Sequence, residues 1–381
     1  MNKFNILTTA LCLGMASSPL LASEAELREE IRFLKERLEL LEKKVASQPV
    51  QPAQPAQAAT SASWSDRITL SGVVEVEAAY ADTDNDDESD ITLATVELAI
   101  DTQVTDWVNV HALALFEEGE ENDHLIIDEG IITIGNSDVS PFYIAAGRMY
   151  VPFGNFESNM ISDPLTLELG ETRETAIQLG FESDGFHGSA FTANGDAREN
   201  GNERIDYFGA NLGFGKEAED GSGFDLGISF VNSIADSDSL QGTVTDADNL
   251  DDETPGIGAY ATLRRGNFTL IGEYLGATED FAAADLTFDG SGAEPESWNL
   301  EAGYDFKIAN KEATFALAWQ GTDEALALEL PEDRYMAALS VGIYENTTLS
   351  FEWAHDDDYD SSDGGTGDDS DTFTAQLAAE F

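Results

Sequence analysis

Cysteine is nearly absent from this chain. Its one cysteine, Cys12, follows Leu11 inside an apolar N-terminal stretch. That placement argues against a lipoprotein leader, and a leader removed with Cys12 leaves no thiol for disulfides or redox chemistry. Basic residues are scarce, with 18 Lys and Arg against 75 Asp and Glu, for a net charge of -57. Nucleic acid is therefore excluded as a partner, because phosphate contacts need Lys and Arg. After the leader no apolar run approaches about 20 residues, so no membrane helix is expected. The four histidines, His111, His124, His187 and His355, show no metal-ligand spacing, and no loop carries the twelve-residue calcium pattern. No metal or cofactor is expected. No Ser/His or Asp/His pair on neighbouring strands can be argued, so no enzyme is expected either.

What is present argues against disorder. The chain carries 21 Phe, 10 Tyr, 5 Trp and 33 Gly in an alternating pattern. Its acidity suits solubility in a saline habitat and, equally, cation attraction at a pore mouth. Four segments follow from the pattern. Residues 1–22 read as a secretory signal peptide: Lys3, a short apolar core, then Ala22 as a small residue for cleavage. In residues 23–46, Leu27, Ile31, Leu34, Leu38, Leu41 and Val45 recur at spacings of 4 and 3, the seam of a short coiled coil. Such a coil joins chains, and its a and d residues lean towards two strands. Residues 47–65 hold prolines at spacing three among Gln and Ala, an extended semi-rigid spacer.

From residue 66 to 381 the period changes to two. Trp298, Leu300, Ala302, Tyr304, Phe306 and Ile308 alternate with Ser297, Asn299, Glu301, Gly303, Asp305 and Lys307. The same alternation runs through Gly223–Asn232, Ala313–Gly321, Thr347–Ala354 and the closing stretch Phe373–Phe381. A sandwich with one wet face alternates in this way too. The connections decide. Short ones (Thr105-Asp106, Glu182–Gly185, Arg265–Asn267, Glu345-Asn346) alternate with long acidic ones (Ala81–Asp90, Tyr150–Thr172, Ile234–Pro255, Asp356–Ser370). That is the layout of an all-β transmembrane antiparallel barrel of about 16 strands, with both chain ends on the short-turn, periplasmic side. Such a barrel leaves an aqueous lumen, and a small, polar inner face is expected of it. Phe381, which ends an amphipathic strand, resembles the terminus of bacterial outer-membrane proteins; the likeness implies handling by the barrel assembly machinery. The closing strand is expected to pair with Arg67–Ala79.

The least strand-like part is Gly147–Thr172, GRMYVPFGNFESNMISDPLTLELGET, where Pro152, Gly154 and Pro164 prevent a ladder. It lies on the third outward passage, where a porin folds a loop inward as a constriction. Phe153, Phe156, Met160 and Leu165 are expected to bury apolar surface against the inner wall. Arg148 and Arg173 flank it. Facing acids such as Glu301, Asp305 and Glu352, they either set a transverse field or pair structurally with carboxylates. The candidate pore residues are Arg148, Phe153, Asn155, Phe156, Asp163, Arg173, Glu301, Asp305, Lys307 and Glu352.

The run GR-x-x-VPFG-x-F-x-S-x-x-x-x-DPLT-x-x-x-GET resembles the LbtU-type siderophore porin family. The leader, coil, spacer and barrel resemble that family's layout over nearly the whole chain. The resemblance implies a Gram-negative outer-membrane porin, with the coil in the periplasm, linked to uptake of iron-siderophore complexes. It carries over no catalytic residues. The function expected is a water-filled channel for small polar solutes with an acidic, cation-favouring mouth, set in outer-membrane lipid. Porin barrels come in threes, which favours a homo-oligomeric trimer. The alternative is a structural protein tethering the outer membrane to a periplasmic partner through its coil.

Overall fold

The computed structural model describes residues 67–83, 87–118, 124–199, 201 and 204–381. The leader, the seam Leu27–Val45 and the spacer lie outside the described residues. The described part is a closed antiparallel barrel of 16 strands. Its first quarter is β1 (Ile68–Thr83), β2 (Asp87–Thr105), β3 (Val108–Phe116) and β4 (Ile126–Gly135). Then come β5 (Phe142–Tyr150), β6 (Arg173–Ser183), β7 (Phe186–Ala193), β8 (Tyr207–Glu217), β9 (Gly223–Val231), β10 (Gly256–Arg265) and β11 (Phe268–Ala277). A two-stranded hairpin in a loop, β12 (Thr287–Phe288) and β13 (Ser291–Gly292), stands outside the barrel sheet. The barrel resumes with β14 (Glu296–Ile308), β15 (Lys311–Asp323), β16 (Asp333–Tyr344), β17 (Thr347–Asp357) and β18 (Asp369–Glu380), and β18 closes on β1.

The alternation read from the sequence maps onto the two faces. Ser297, Asn299 and Glu301 are buried inside, whereas Leu300 and Tyr304 are exposed outside. Likewise Ala316, Ala318 and Gln320 point inward, and Phe315, Leu317 and Trp319 outward. The outer aromatics form two girdles. Towards the short turns, Phe186 pairs with Phe214 and Phe268 with Tyr304, at ring separations of 4.5 and 4.7 Å. Towards the long loops, Trp319 and Trp353 donate indole N–H to Asp333 and Asp371, each at 2.8 Å. Aromatic rings at both edges of an aliphatic band, with indole N–H groups bonded on the long-loop side, fit a bilayer-spanning barrel.

Closure differs in register from the sequence expectation. The β1–β18 partners run from Val73↔Glu380 to Thr83↔Ser370, further along β1 than Arg67–Ala79. A closed barrel staggers its strands by a fixed shear, and the offset belongs to that stagger. Gly72 and Phe381 then exchange backbone hydrogen bonds at 3.1 and 3.0 Å. The first long loop is also shorter than Ala81–Asp90, because β1 and β2 keep pairing as far as Asp82↔Asp87.

The inner face is not uniformly small and polar, which corrects the expectation. Met149, Phe191, Val231, Ile271 and Leu275 point inward along β5 to β11 and are buried. Met149, Phe191, Val231 and Leu275 pack with Val151, Phe153 and Leu169 from the loop after β5, with Ile234, Leu240 and Leu250 from the loop after β9, and with Phe281 and Leu286 from the loop after β11. Apolar side chains on an inner wall stay out of water only if something covers them. Here three loops do.

Candidate functional site

Residues 151–172 leave β5 and lie along the inner wall, ending in the one-and-a-half-turn helix α1 (Leu165–Gly170). Pro152 and Pro164 withhold backbone donors, so the segment cannot extend the ladder. Its own amides need acceptors instead. Three wall carboxylates supply them. Glu273 on β11 accepts from the Asn155 and Phe156 amides at 2.5 and 3.0 Å and from Thr166 Oγ1 at 3.0 Å. Glu301 on β14 accepts from Ser158 Oγ and the Asn159 amide, both at 2.9 Å, and from the Asn159 side chain. Glu352 on β17 accepts from the Ile161 amide and from Ser162 Oγ, each at 2.5 Å. Gly154 donates to Ser229 Oγ at 3.2 Å and Leu165 to Gln320 Oε1 at 3.0 Å, extending the seam across β9 to β17. Charged acceptors make such bonds strong, on the order of 1.5–3 kcal/mol each. The loop's tip is tied as well: Glu157 accepts from Thr262 Oγ1 at 2.8 Å and pairs with Arg264.

The inward charges on the other side of the barrel are not used in this way. Glu75 and Glu77 on β1, Glu97 and Asp101 on β2, and Glu129 on β4 share the inner face with His111 on β3. His111 sits between Asp101 (2.8 Å) and Glu129 (3.2 Å), and Gln376 donates to Glu77 at 2.9 Å. Among the described residues, no hydrogen bond joins residues 151–172 to these strands. Glu77, Glu97 and the loop's Asp163 all lie within electrostatic reach of Glu75. The open side of the lumen therefore concentrates negative charge next to the loop's edge.

The sequence-expected residues divide accordingly. Phe153 and Leu165 are buried against the wall; Phe156 and Met160 are half-buried, Met160 against Ala318, Met336 and Ala354. Asn155 and Asp163 are exposed. Glu301 and Glu352 are buried acceptors under the loop. Asp305 accepts from Thr314 at 2.7 Å and Lys307 pairs with Glu312 at 2.5 Å, both near the short turn after β14. The structure does not bring those two to the loop. Arg173 takes the structural role: it pairs with buried Asp128, and its guanidinium lies 5.9 Å from the Tyr150 ring centre. Arg148 is exposed and close enough to Asp238 to act on its charge.

Sequence reasoning missed Glu273. Its signal was present: Ile271, Glu273 and Leu275 share one face, so Glu273 is a lone charge on an otherwise apolar stripe. It missed a second set of acids where the loop rejoins the wall. The backbone N–H of Asp238, at the start of α2 (Asp238–Thr243), donates to Glu171 O at 2.8 Å. The Asp238 carboxylate in turn accepts from the Arg173 amide at 3.1 Å. Burial, then Asp238, Asp163 and Asp128, push the Glu171 carboxyl up to about 7, against the pull of Arg173. Burial likewise raises Asp236 to about 6, although the Ala197 and Asp196 amides and Ser233 hold it down.

No profile of a known protein family matches the chain. Curated relatives do. A UPF0422 protein of Coxiella burnetii is 30% identical over 312 residues, covering 79% of this chain and 66% of the relative. A UPF0422 protein of Legionella pneumophila is 29% identical over 351 residues, covering 82% and 66%. The chain thus spans about two thirds of the length of the curated relatives it matches. Among solved structures, the outer membrane channel DcaP of Acinetobacter baumannii aligns with a TM-score of 0.56 at 15% identity, over 82% of this chain and 97% of that one. OprB of Pseudomonas putida aligns with a TM-score of 0.59 at 9% identity, over 83% and 94%. At such identities the likeness concerns the fold. The chain has UPF0422 proteins as its homologues and the barrel of outer-membrane porins as its fold.

Proposed function

We propose that the protein is an outer-membrane channel for small polar solutes, narrowed by residues 151–172 and favouring cations. One observation carries this reading: wall carboxylates hold the loop against β9 to β17, so the remaining passage runs beside Glu75, Glu77, Glu97 and Asp163. Low-dielectric walls of one sign of charge concentrate counter-ions. The girdled apolar exterior supports the outer-membrane location. The porin fold supports a homo-oligomer, for which a trimer is the favoured count. The test is conductance in planar bilayers across a salt gradient. A reversal potential of cationic sign is expected; an anionic sign overturns the selectivity, and an absence of conductance overturns the channel.

The narrower reading is passage of iron chelates, supported by the likeness of Gly147–Thr172 to siderophore porins. The acidic wall restricts that reading to chelates that are neutral or positive overall. A deletion strain should then grow poorly under iron limitation on neutral or cationic chelates. Normal growth on all of them contradicts it.

A further inference from the structure

Four strands carry one row of inward positions, His187–Gly213–Gly227–Tyr260, aligned across β7, β8, β9 and β10. The two outer residues of the row lay their rings over the two glycines. A Cβ on Gly213 would lie 2.1 Å from His187 Cε1, and one on Gly227 would lie 2.4 Å from Tyr260 Cε1. Only glycine permits that approach. One carboxylate, Asp225, fixes both rings: His187 Nε2 is 3.0 Å from Oδ1, and Tyr260 donates its hydroxyl to Oδ2 at 3.3 Å. The result is a pavement of two rings laid over the two glycines of the inner wall. Its His187 and Asp225 side chains keep 31% and 38% of their surface exposed. Next to it, Glu157 at the loop's tip is bonded to Thr262 and Arg264 of β10. A cavity of about 820 Å³ extends from His187 and Asp225 towards the short turns.

We propose that this pavement is a binding subsite for a hydroxyl-bearing ring solute of the sugar type. Rings fixed against a wall by a shared carboxylate offer a face for stacking, and a sugar presents a matching face of C–H groups. The polar groups around the pavement are mostly acceptors: Asp225, Glu157, Glu182 and Asp184. Two cations stand beside them: Arg264 is already paired with Glu157, and Lys216 of the cavity lining lies over the Phe214 ring. Acceptors of this kind take O–H donors and repel anions. A compact inorganic cation is served equally well anywhere along the acidic passage, so two fixed rings add affinity only for a flat partner. The subsite rests on the channel reading, since it matters to transport only if solutes pass.

The test has two arms. In single channels, millimolar glucose or maltose is expected to interrupt the current reversibly. The double variant His187→Leu/Tyr260→Leu, which keeps apolar cover on both glycines, should weaken that block about tenfold while leaving the open current unchanged. Independently, saturation-transfer NMR on the detergent-solubilised barrel should transfer magnetisation to sugar ring protons in the wild type and much less in the variant. If sugars bind by NMR in a barrel that does not conduct, the channel reading fails and the subsite stands. Conduction without sugar binding in either arm overturns the subsite. Block by ring cations but not by sugars overturns the ligand class.

Discussion

Two walls of one barrel share an alternation and differ in what their inner faces meet. From β5 to β11 the inward residues include Met149, Phe191, Val231 and Leu275, and loops cover them. From β1 to β4 they include Glu75, Glu77, Glu97 and Glu129, with His111 among them. A glutamate on the covered side, such as Glu273, is an anchor for backbone amides. A glutamate on the open side is, on the proposed reading, a charge beside the passage. The residue type is the same, and the company it keeps assigns the job. A charge buried without partners would be costly, but each clamp carboxylate accepts two or three hydrogen bonds.

The largest expected effect comes from removing the anchors. Glu273→Ala, Glu301→Ala and Glu352→Ala combined leave the loop's amides without acceptors, and single-channel conductance should rise several-fold as the loop leaves the wall. An unchanged conductance would mean that apolar packing alone holds it. Leu240, fully buried in the loop after β9, tests that packing. Leu240→Ala should cost about 2–5 kcal/mol, seen as faster hydrogen exchange across residues 232–255 with the strands unaffected. Deletion of Phe381 should lower the yield of assembled barrels, measured by heat-modifiable mobility, while assembled ones conduct normally. The smallest effect is in pH. Glu171 has its pKa raised from 4.5 to about 7 by burial and by Asp238, Asp163 and Asp128. A raised carboxyl favours the docked loop while protonated, so docking is strongest below pH 4.5 and weakens as pH rises through about 7. Protease nicking within residues 151–172 should increase over that window, and Glu171→Gln should flatten the trend.

Much of this was legible in the sequence because a strand's period of two needs no partner to be read. Trp298 and Leu300 against Ser297 and Asn299 gave the two faces, and the alternating loop lengths gave the barrel. Pro152 and Pro164 marked the segment that could not be a strand. What stayed hidden depends on register. Asn155 and Glu273 are 118 residues apart, and Ile161 and Glu352 are 191 apart. Which wall acid meets the loop is set by how the strands are staggered, which no local pattern encodes. For the same reason Glu301 and Glu352 read from sequence only as inward acids facing Arg148 and Arg173, either field-setting or paired, whereas the fold makes them anchors for the loop's amides. Arg173 pairs with Asp128, and a bulge in the β3–β4 ladder, where the partners step from Glu129 to Ile127, skips that residue.

The most direct test of the division between the walls is the reversal potential of two single variants in the same salt gradient. Neutralising an open-wall acid, Glu77→Gln, should reduce the cation preference at unchanged conductance. Neutralising an anchor, Glu301→Gln, should leave selectivity nearly intact. Equal losses of selectivity in both variants would contradict the account, because clamp and open-wall glutamates would then be doing one job.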